Sequence, residues 1–357
     1  MTDDASFSIL STVPDIETLY TPSHTDQQTD GYDPVLETDE YFDQESRLAD
    51  YDSVSSTSVA PSVYRHEHDH GRRYHSYKSG RYPLPNDLPE QQLEELKHHM
   101  LLELTEGHLF LSDIGDHPQK IIDIGTGAGP VADNYPGAIV LGTDLSPIQP
   151  RWLPTNCRMF VDDCEEDEWL HGTGFDLVHL RELSDVLRDL DALLAGIYKN
   201  LKTGGWVEFQ DFIPEVLCDD GSMDGNDPLR RFMSLAVKGM RKLGCHQFGT
   251  RDIKESLEKA NFTNINIHTR RLPIGGWARD ERLLAVGAMM KAVVLESLSA
   301  FAAKPFEALG ILDDERQRLI AEVKKSLEDK GIHRYLDFRF CYGQKCPELS
   351  SDFESDI

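Results

Sequence analysis

The chain has 357 residues, 39% of them hydrophobic, and a formal charge of −27. That length holds one large or two small domains with a sizeable core, yet the apolar content is low for a chain folded throughout. A surface this acidic argues against general binding to nucleic acid or to an anionic membrane.

Residues 1–63 carry 14 Asp plus Glu against one basic residue, Arg47. They are rich in Ser, Thr and Tyr, show no sustained period, and read as a disordered acidic tail. The first residues lack the basic-then-apolar plan of a secretory signal. A late apolar stretch, 283–295, is interrupted by Lys291 and is too short to cross a bilayer. The expectation is a soluble intracellular protein, cytoplasmic or nuclear. Six cysteines show no CxxC pair and read as reduced thiols. Residues 64–82 interleave His66, His68, His70 and His75 with Arg and Lys. No second ligand pair supports a metal there, so a solvated linker is expected.

Asn86 or Asp87 is placed to cap a helix with Pro89 in its first turn. Leu93, Leu96, Met100 and Leu104 fall at helical spacing and predict a face packed on a sheet. His98 and His99 flank that stripe. Lys120 to Ser146 then reads as strand, glycine turn, short helix, strand and acidic end. Ile121, Ile122 and Ile124 suit a strand buried on both faces. Gly125, Gly127 and Gly129 allow positive φ and a ligand's close approach to bare backbone. The second strand, 138–142, ends at Asp144, about 20 residues after the first glycine. A carboxylate there typically accepts hydrogen bonds from ribose hydroxyls.

A third strand is expected at 158–161, before the acidic run from Asp162 to Glu166. A carboxylate at that strand end is placed to meet an adenine amine. Residues 175–180 form a fourth strand, 185–201 an amphipathic helix and 206–209 a fifth strand. This alternation predicts an α/β fold with a doubly wound parallel sheet. Helices are expected at 227–243, 252–259, 280–302 and 313–329, and strands at 262–268 and 335–342. The last strand should turn Leu336, Phe338 and Phe340 inward. The domain division is then tail 1–63, linker and strap 64–85, main domain 86–345, and a second unstructured tail 346–357.

The GxGxG turn in this order resembles class I S-adenosylmethionine-dependent methyltransferases. GRRYHSYKSGRYPLPND (71–87), LKHHMLLELTEGHLFL (96–111), YPGAIVLGTDLSPIQP (135–150), FDLVHLREL (175–183) and NLKTGGWVEFQD (200–211) are similar, more closely, to the fungal LaeA/UMTA-type methyltransferases. The resemblance runs from about residue 71 to 345. It implies a Rossmann-like seven-stranded sheet, an N-terminal strap, a helical insertion before the last strand, and S-adenosyl-L-methionine as cofactor. Asp123, Gly125, Gly127 and Gly129 would hold the methionine end, Asp144 the ribose, and Asp163 with Cys164 the adenine. His179 and Arg181 would border the reacting methyl, and Tyr74 to Asn86 would fold over the pocket. His179, then His99, is the expected base if the acceptor needs one. The family includes secondary-metabolism regulators that work with velvet-type proteins, and natural-product pathway enzymes. The methyl acceptor, small molecule or protein, is not named by the residues. One departure stands out: only 131–135 separates Pro130 from Pro136, about one helical turn fewer than expected of the family. That predicts weaker cofactor binding. It also keeps open a methyltransferase-like regulator that acts through protein contacts with little or no turnover.

Overall fold

The computed structural model describes residues 65–127, 134–149, 152–166, 168–246 and 248–346. The first expected tail, the second beyond Cys346, Gly129 and residues 131–133 of the shortened helix therefore lie outside the described residues.

The first described elements are two short strands, β1 (His66–Asp69) and β2 (Arg72–His75), paired antiparallel. The expected linker is thus a hairpin. His70 (φ 49°) and Gly71 (φ 73°) form its two-residue turn, and two left-handed residues match the right-handed twist of the flanking strands. Arg72 anchors the hairpin, giving Nε to Asp87 Oδ2 at 2.6 Å and Nη2 to Asp87 Oδ1 at 2.8 Å. Asp87 also caps α1 (Leu88–Leu104) by accepting from the Glu90 N–H.

A seven-stranded sheet follows. Its strands are β3 (Lys120–Ile124), β4 (Ile139–Asp144), β5 (Cys157–Val161), β6 (Phe175–Arg181), β7 (Leu201–Leu217), β8 (Thr263–Pro273) and β9 (Tyr335–Gln344). Their spatial order is β5-β4-β3-β6-β7-β9-β8. The first five run parallel and β9 runs antiparallel between β7 and β8. This is the doubly wound sheet expected from the sequence, with a reversed strand pair at one edge. β3 and β6 are buried on both faces because helices or loops cover each side, and they are apolar apart from Asp123, Asp176, His179 and the strand-end Lys120 and Arg181. In β9 the alternation is incomplete: Leu336, Phe338 and Phe340 are buried, but so are Arg339 and Cys341 on the other face.

The remaining helices are α2 (Leu190–Asn200), α3 (Pro228–Lys242), α4 (Thr250–Lys259), α5 (Glu281–Ala302), α6 (Lys304–Ala308) and α7 (Asp313–Ser326). α2 starts later than expected, at the Asp189 cap, and residues 182–188 form a loop at the end of β6. The last three helices are the insertion before β9. The apolar stripe of α1 packs chiefly on α5 rather than on the sheet. Leu93, Met100 and Leu104 share a core with Val286, Met290, Val294, Phe338 and Phe340. The expected length of the late apolar stretch needs correction. α5 has 22 residues and, by length and composition alone, is apolar enough to cross a bilayer. Here one face of it is buried in that core.

Candidate functional site

The chain leaves β3 toward β4 and β5 on one side of the sheet, then crosses to β6 and β7 on the other. Ligands of open α/β sheets bind at such a switch point, at the carboxyl ends of the strands. A cavity of about 820 Å³ lies there. Gly125 (φ 72°) and Gly127 (φ 55°) begin its floor. The N–H groups of Gly125 and Thr126 both donate to Thr143 O, at 2.7 and 3.0 Å. A Cβ on Gly125 would come within 2.8 Å of Leu183, whereas a Cβ on Gly127 would meet nothing within 4 Å. Gly127 is therefore backbone open to a ligand. Its N–H donates to Asp144 Oδ2 at 3.0 Å, and the Ser146 N–H donates to Oδ1 at 2.8 Å. A carboxylate has about four acceptor positions, so Asp144 keeps capacity for two ligand hydroxyls. Burial pushes its carboxyl up to about 6, against those two N–H bonds.

Register sets Asp123, His179 and Glu208 side by side across β3, β6 and β7. His179 Nδ1 is 2.7 Å from Asp123 Oδ1, and Thr126 Oγ1 donates to Oδ2 at 2.9 Å. Burial alone would raise the Asp123 carboxyl, but His179 and Arg181 outweigh it and hold the group below its usual value. Glu208 accepts the N–H groups of Leu111 and Ser112. That loop lays Phe110 edge-on to His179, with ring centroids 4.9 Å apart. His179 is 2% exposed and, like Asp123, does not line the cavity. The expected place of His179 is beside the reacting methyl; here the 109–112 loop lies over its ring. Arg181 and His99 do line the cavity. So does His98, whose Nδ1 accepts from Arg181 at 3.3 Å. Burial, then Arg181, pushes His98 down to about 4.

The strap lies along the cavity as expected, but from Arg81 rather than Tyr74. Arg81, Tyr82, Leu84, Pro85 and Asn86 line it. Arg81 donates to Val186 O at 2.8 Å and to Asp163 Oδ2 at 3.4 Å, and pairs with Glu165. Lys78 reaches Asp163 at 3.2 Å. Asn86 Nδ2 donates to Ser146 Oγ at 3.3 Å. The strap is thereby tied to the ends of β4, β5 and β6. Tyr74 does not line the cavity. It is buried beneath Lys304, whose Nζ sits 3.7 Å from the ring centroid, and burial pushes its hydroxyl up to about 12. Asp163 and Cys164 are on the cavity wall. Burial, reinforced by Asp163, pushes the Cys164 thiol up to about 12, so it stays neutral.

Sequence reasoning missed a set of charged groups on the same wall. Lys97 Nζ, buried, lies 2.7 Å from Glu94 and 2.5 Å from Glu182. Glu182 holds a left-handed φ of 55°, uncommon for a residue other than glycine. Asp211 Oδ2 accepts from Arg339 at 3.3 Å and Oδ1 from the Ser184 N–H at 3.2 Å. Asp185 also lines the cavity. Among the described residues it makes no hydrogen bond or ion pair, although Arg339 and Arg241 lie within electrostatic reach. Burial, then Asp211, pushes its carboxyl up to about 7. One signal for this set was available. Lys97 follows Leu93 by four residues, which puts a lysine on the buried face of α1.

A family model described as a methyltransferase domain matches residues 96–267. The methyltransferase pytC of Aspergillus terreus is 34% identical over 85% of this chain and 95% of its own length. The chain belongs to the fungal LaeA-type methyltransferases of secondary metabolism. The secondary metabolism regulator laeA of Aspergillus niger is 32% identical, across 79% of this chain and 77% of that relative. The protein-methionine methyltransferase laeA of Emericella nidulans is 31% identical, across 75% and 73%. These LaeA-type relatives bear names of both kinds, enzyme and regulator.

Proposed function

We propose that this LaeA-type methyltransferase uses S-adenosyl-L-methionine to methylate a hydroxyl group in the 820 Å³ cavity. The observation that carries the donor is Asp144: a carboxylate at the end of β4, fixed by two backbone N–H groups beside open glycine backbone. Asp144 would accept the ribose hydroxyls, Gly125 and Gly127 would lie against the methionine end, and Asp163 with Cys164 would edge the adenine. S-adenosylmethionine supplies an electrophilic methyl on a sulfonium and departs as a neutral thioether. The protein's own part is alignment of the acceptor and exclusion of water, which the strap serves.

A hydroxyl acceptor also needs its proton removed. Asp185 replaces His179 as the proposed base. It stands on the loop that leaves β6, faces the cavity, and among the described residues has no hydrogen-bond partner that would occupy its oxygens. A base is most effective with a pKa near working pH, and about 7 fits that need. His99, exposed at the rim, is the second candidate. The test is calorimetry with S-adenosylhomocysteine on the purified chain, followed by mass spectrometry of labelled-methyl products from fungal extract. Stoichiometric binding and a labelled product are expected. Binding without any product would favour the regulatory reading, and no binding would remove the donor.

A further inference from the structure

The cavity is built of two unlike parts. Its floor and rim, at the strand ends, are charged: Glu90, Glu94, Glu182, Asp185 and Asp211 all line it. The one lysine among them, Lys97, is already taken by Glu94 and Glu182. The walls contributed by α3 and α5 are apolar. α3 gives Phe232, Ala236 and Met240, and α5 gives Val293, Val294 and Leu298. Phe232 is 1% and Leu298 2% exposed and form packed wall, while Met233, Val237, Ser297 and Phe301 are half-buried and bound the space itself.

Two classes of acceptor suit such a chamber badly. An anion would meet more lining carboxylates than cations: of Arg81, Lys97 and Arg181, the first two are already paired to carboxylates, and the apolar walls of α3 and α5 offer it no donor to replace its lost water. A peptide would bring backbone N–H and C=O groups, which cost free energy when buried without partners. α3 and α5 offer the cavity one hydroxyl, Ser297, and its Oγ already donates to Val293 O at 2.6 Å. A neutral apolar body meets neither obstacle and gains from leaving water. The volume of the whole cavity, donor end included, lies within the roughly 300–1,000 Å³ of small-molecule sites.

We propose that the chamber between α3 and α5 holds the methyl acceptor, and that this acceptor is a neutral, largely apolar small molecule that presents its hydroxyl at Asp185. This rests on the methyltransferase reading above for the direction in which the hydroxyl points. The chamber's preference for its ligand does not depend on the methyl donor.

The test uses the full chain and the neutral fluorescent probe N-phenyl-1-naphthylamine, with S-adenosylhomocysteine affinity measured separately by calorimetry. Saturable, blue-shifted probe binding is expected. Val237→Trp, from α3, and Ser297→Trp, from α5, fill the chamber from two walls. Each should weaken probe binding by at least about tenfold, through overpacking of a site with no room to relax, and leave S-adenosylhomocysteine affinity within about twofold. In the wild type, 2-naphthol should displace the probe at a concentration at least about tenfold lower than 2-naphthoate, or than a blocked glycyl-methionyl-glycine peptide, requires. Absence of saturable binding overturns the proposal. So does probe binding that survives either substitution in a folded variant, or displacement by naphthoate or peptide that matches 2-naphthol. The displacement series needs no variant, so a variant that fails to fold leaves the proposal open to refutation. If the probe behaves as expected while S-adenosylhomocysteine does not bind, the donor reading fails and the chamber stands.

Discussion

Asp185 has its charge set first by burial and then by Asp211. Its carboxyl stands at about 7 in the folded chain and at about 3.9 once unfolded. Between those values the native state binds a proton that the unfolded chain has lost. Stability contributed at low pH is therefore lost as pH rises from about 4 through about 7. Asp185→Asn removes this penalty. Its gain in urea stability over wild type should be larger at pH 8 than at about pH 5.5, by up to about 1–2 kcal/mol. A gap that stays constant with pH would show that Asp185 does not titrate in this window. If Asp185 is also the base, the same substitution should lower methyl transfer by about 10²–10⁴ with S-adenosylhomocysteine affinity unchanged. Asp144 works differently. From the sequence alone its charge serves only the ribose, but its oxygens also hold Gly127 and Ser146. Asp144→Ala should therefore weaken S-adenosylhomocysteine binding by about 1.5–3 kcal/mol and also lower stability by about 1 kcal/mol. Calorimetry and urea melts on one preparation separate the two effects. Unchanged affinity in a folded variant would remove Asp144 from the site.

At the scale of elements the strap is the test case. Arg81 is 8% exposed and its guanidinium meets Asp163, Glu165 and the Val186 carbonyl. Arg81→Ala would leave Glu165 without its cation and Asp163 with Lys78 alone at the cavity edge, and breaking such a buried pair costs about 3–5 kcal/mol. The expected results are a lower thermal midpoint, faster proteolysis within 71–87 and weaker S-adenosylhomocysteine binding. Arg81→Lys keeps the charge but not the planar fork, so it should fall between. Proteolysis unchanged in Arg81→Ala would mean the strap is held by other contacts. The strap was legible in the sequence only through its resemblance. Its hairpin was not, because β1 and β2 are charged and short, with His70-Gly71 in place of the usual Asn-Gly turn. β3 and β6 were legible because strands covered on both faces read as apolar runs. His179 was placed correctly at a strand end, yet period alone cannot show that a loop from 109–112 covers it. Beyond the helical spacing of Lys97, the Lys97 and Asp185 group was illegible for a similar reason. Its members come from α1, the β6 loop and β7, and only the folded sheet brings them to one wall.

At the scale of the whole molecule a buried ion pair ties the residue just before β9 to the N-terminus of α3. Arg334, 1% exposed, gives both Nε and Nη2 to Asp227 Oδ2. Asp227 also caps α3 by accepting from the Leu229 and Arg230 N–H groups. Asp227→Ala should cost about 3–5 kcal/mol in urea unfolding, more than a lost cap alone, because the guanidinium stays buried without its counter-ion. A loss near 1 kcal/mol would show that water reaches Arg334. The position of β9 has a further consequence, which concerns time rather than space. β9 lies between β7 and β8, though both precede it in the chain. On the ribosome those two strands emerge while the place between them is still empty, and each exposes an unpaired edge through some 60 intervening residues of helix and loop. Sheet closure is thus postponed to the end of synthesis, and pairings this distant along the chain form slowly. A nascent chain halted before Tyr335 would present two sticky edges, so the final strand decides whether all that came before it stays soluble long enough to fold.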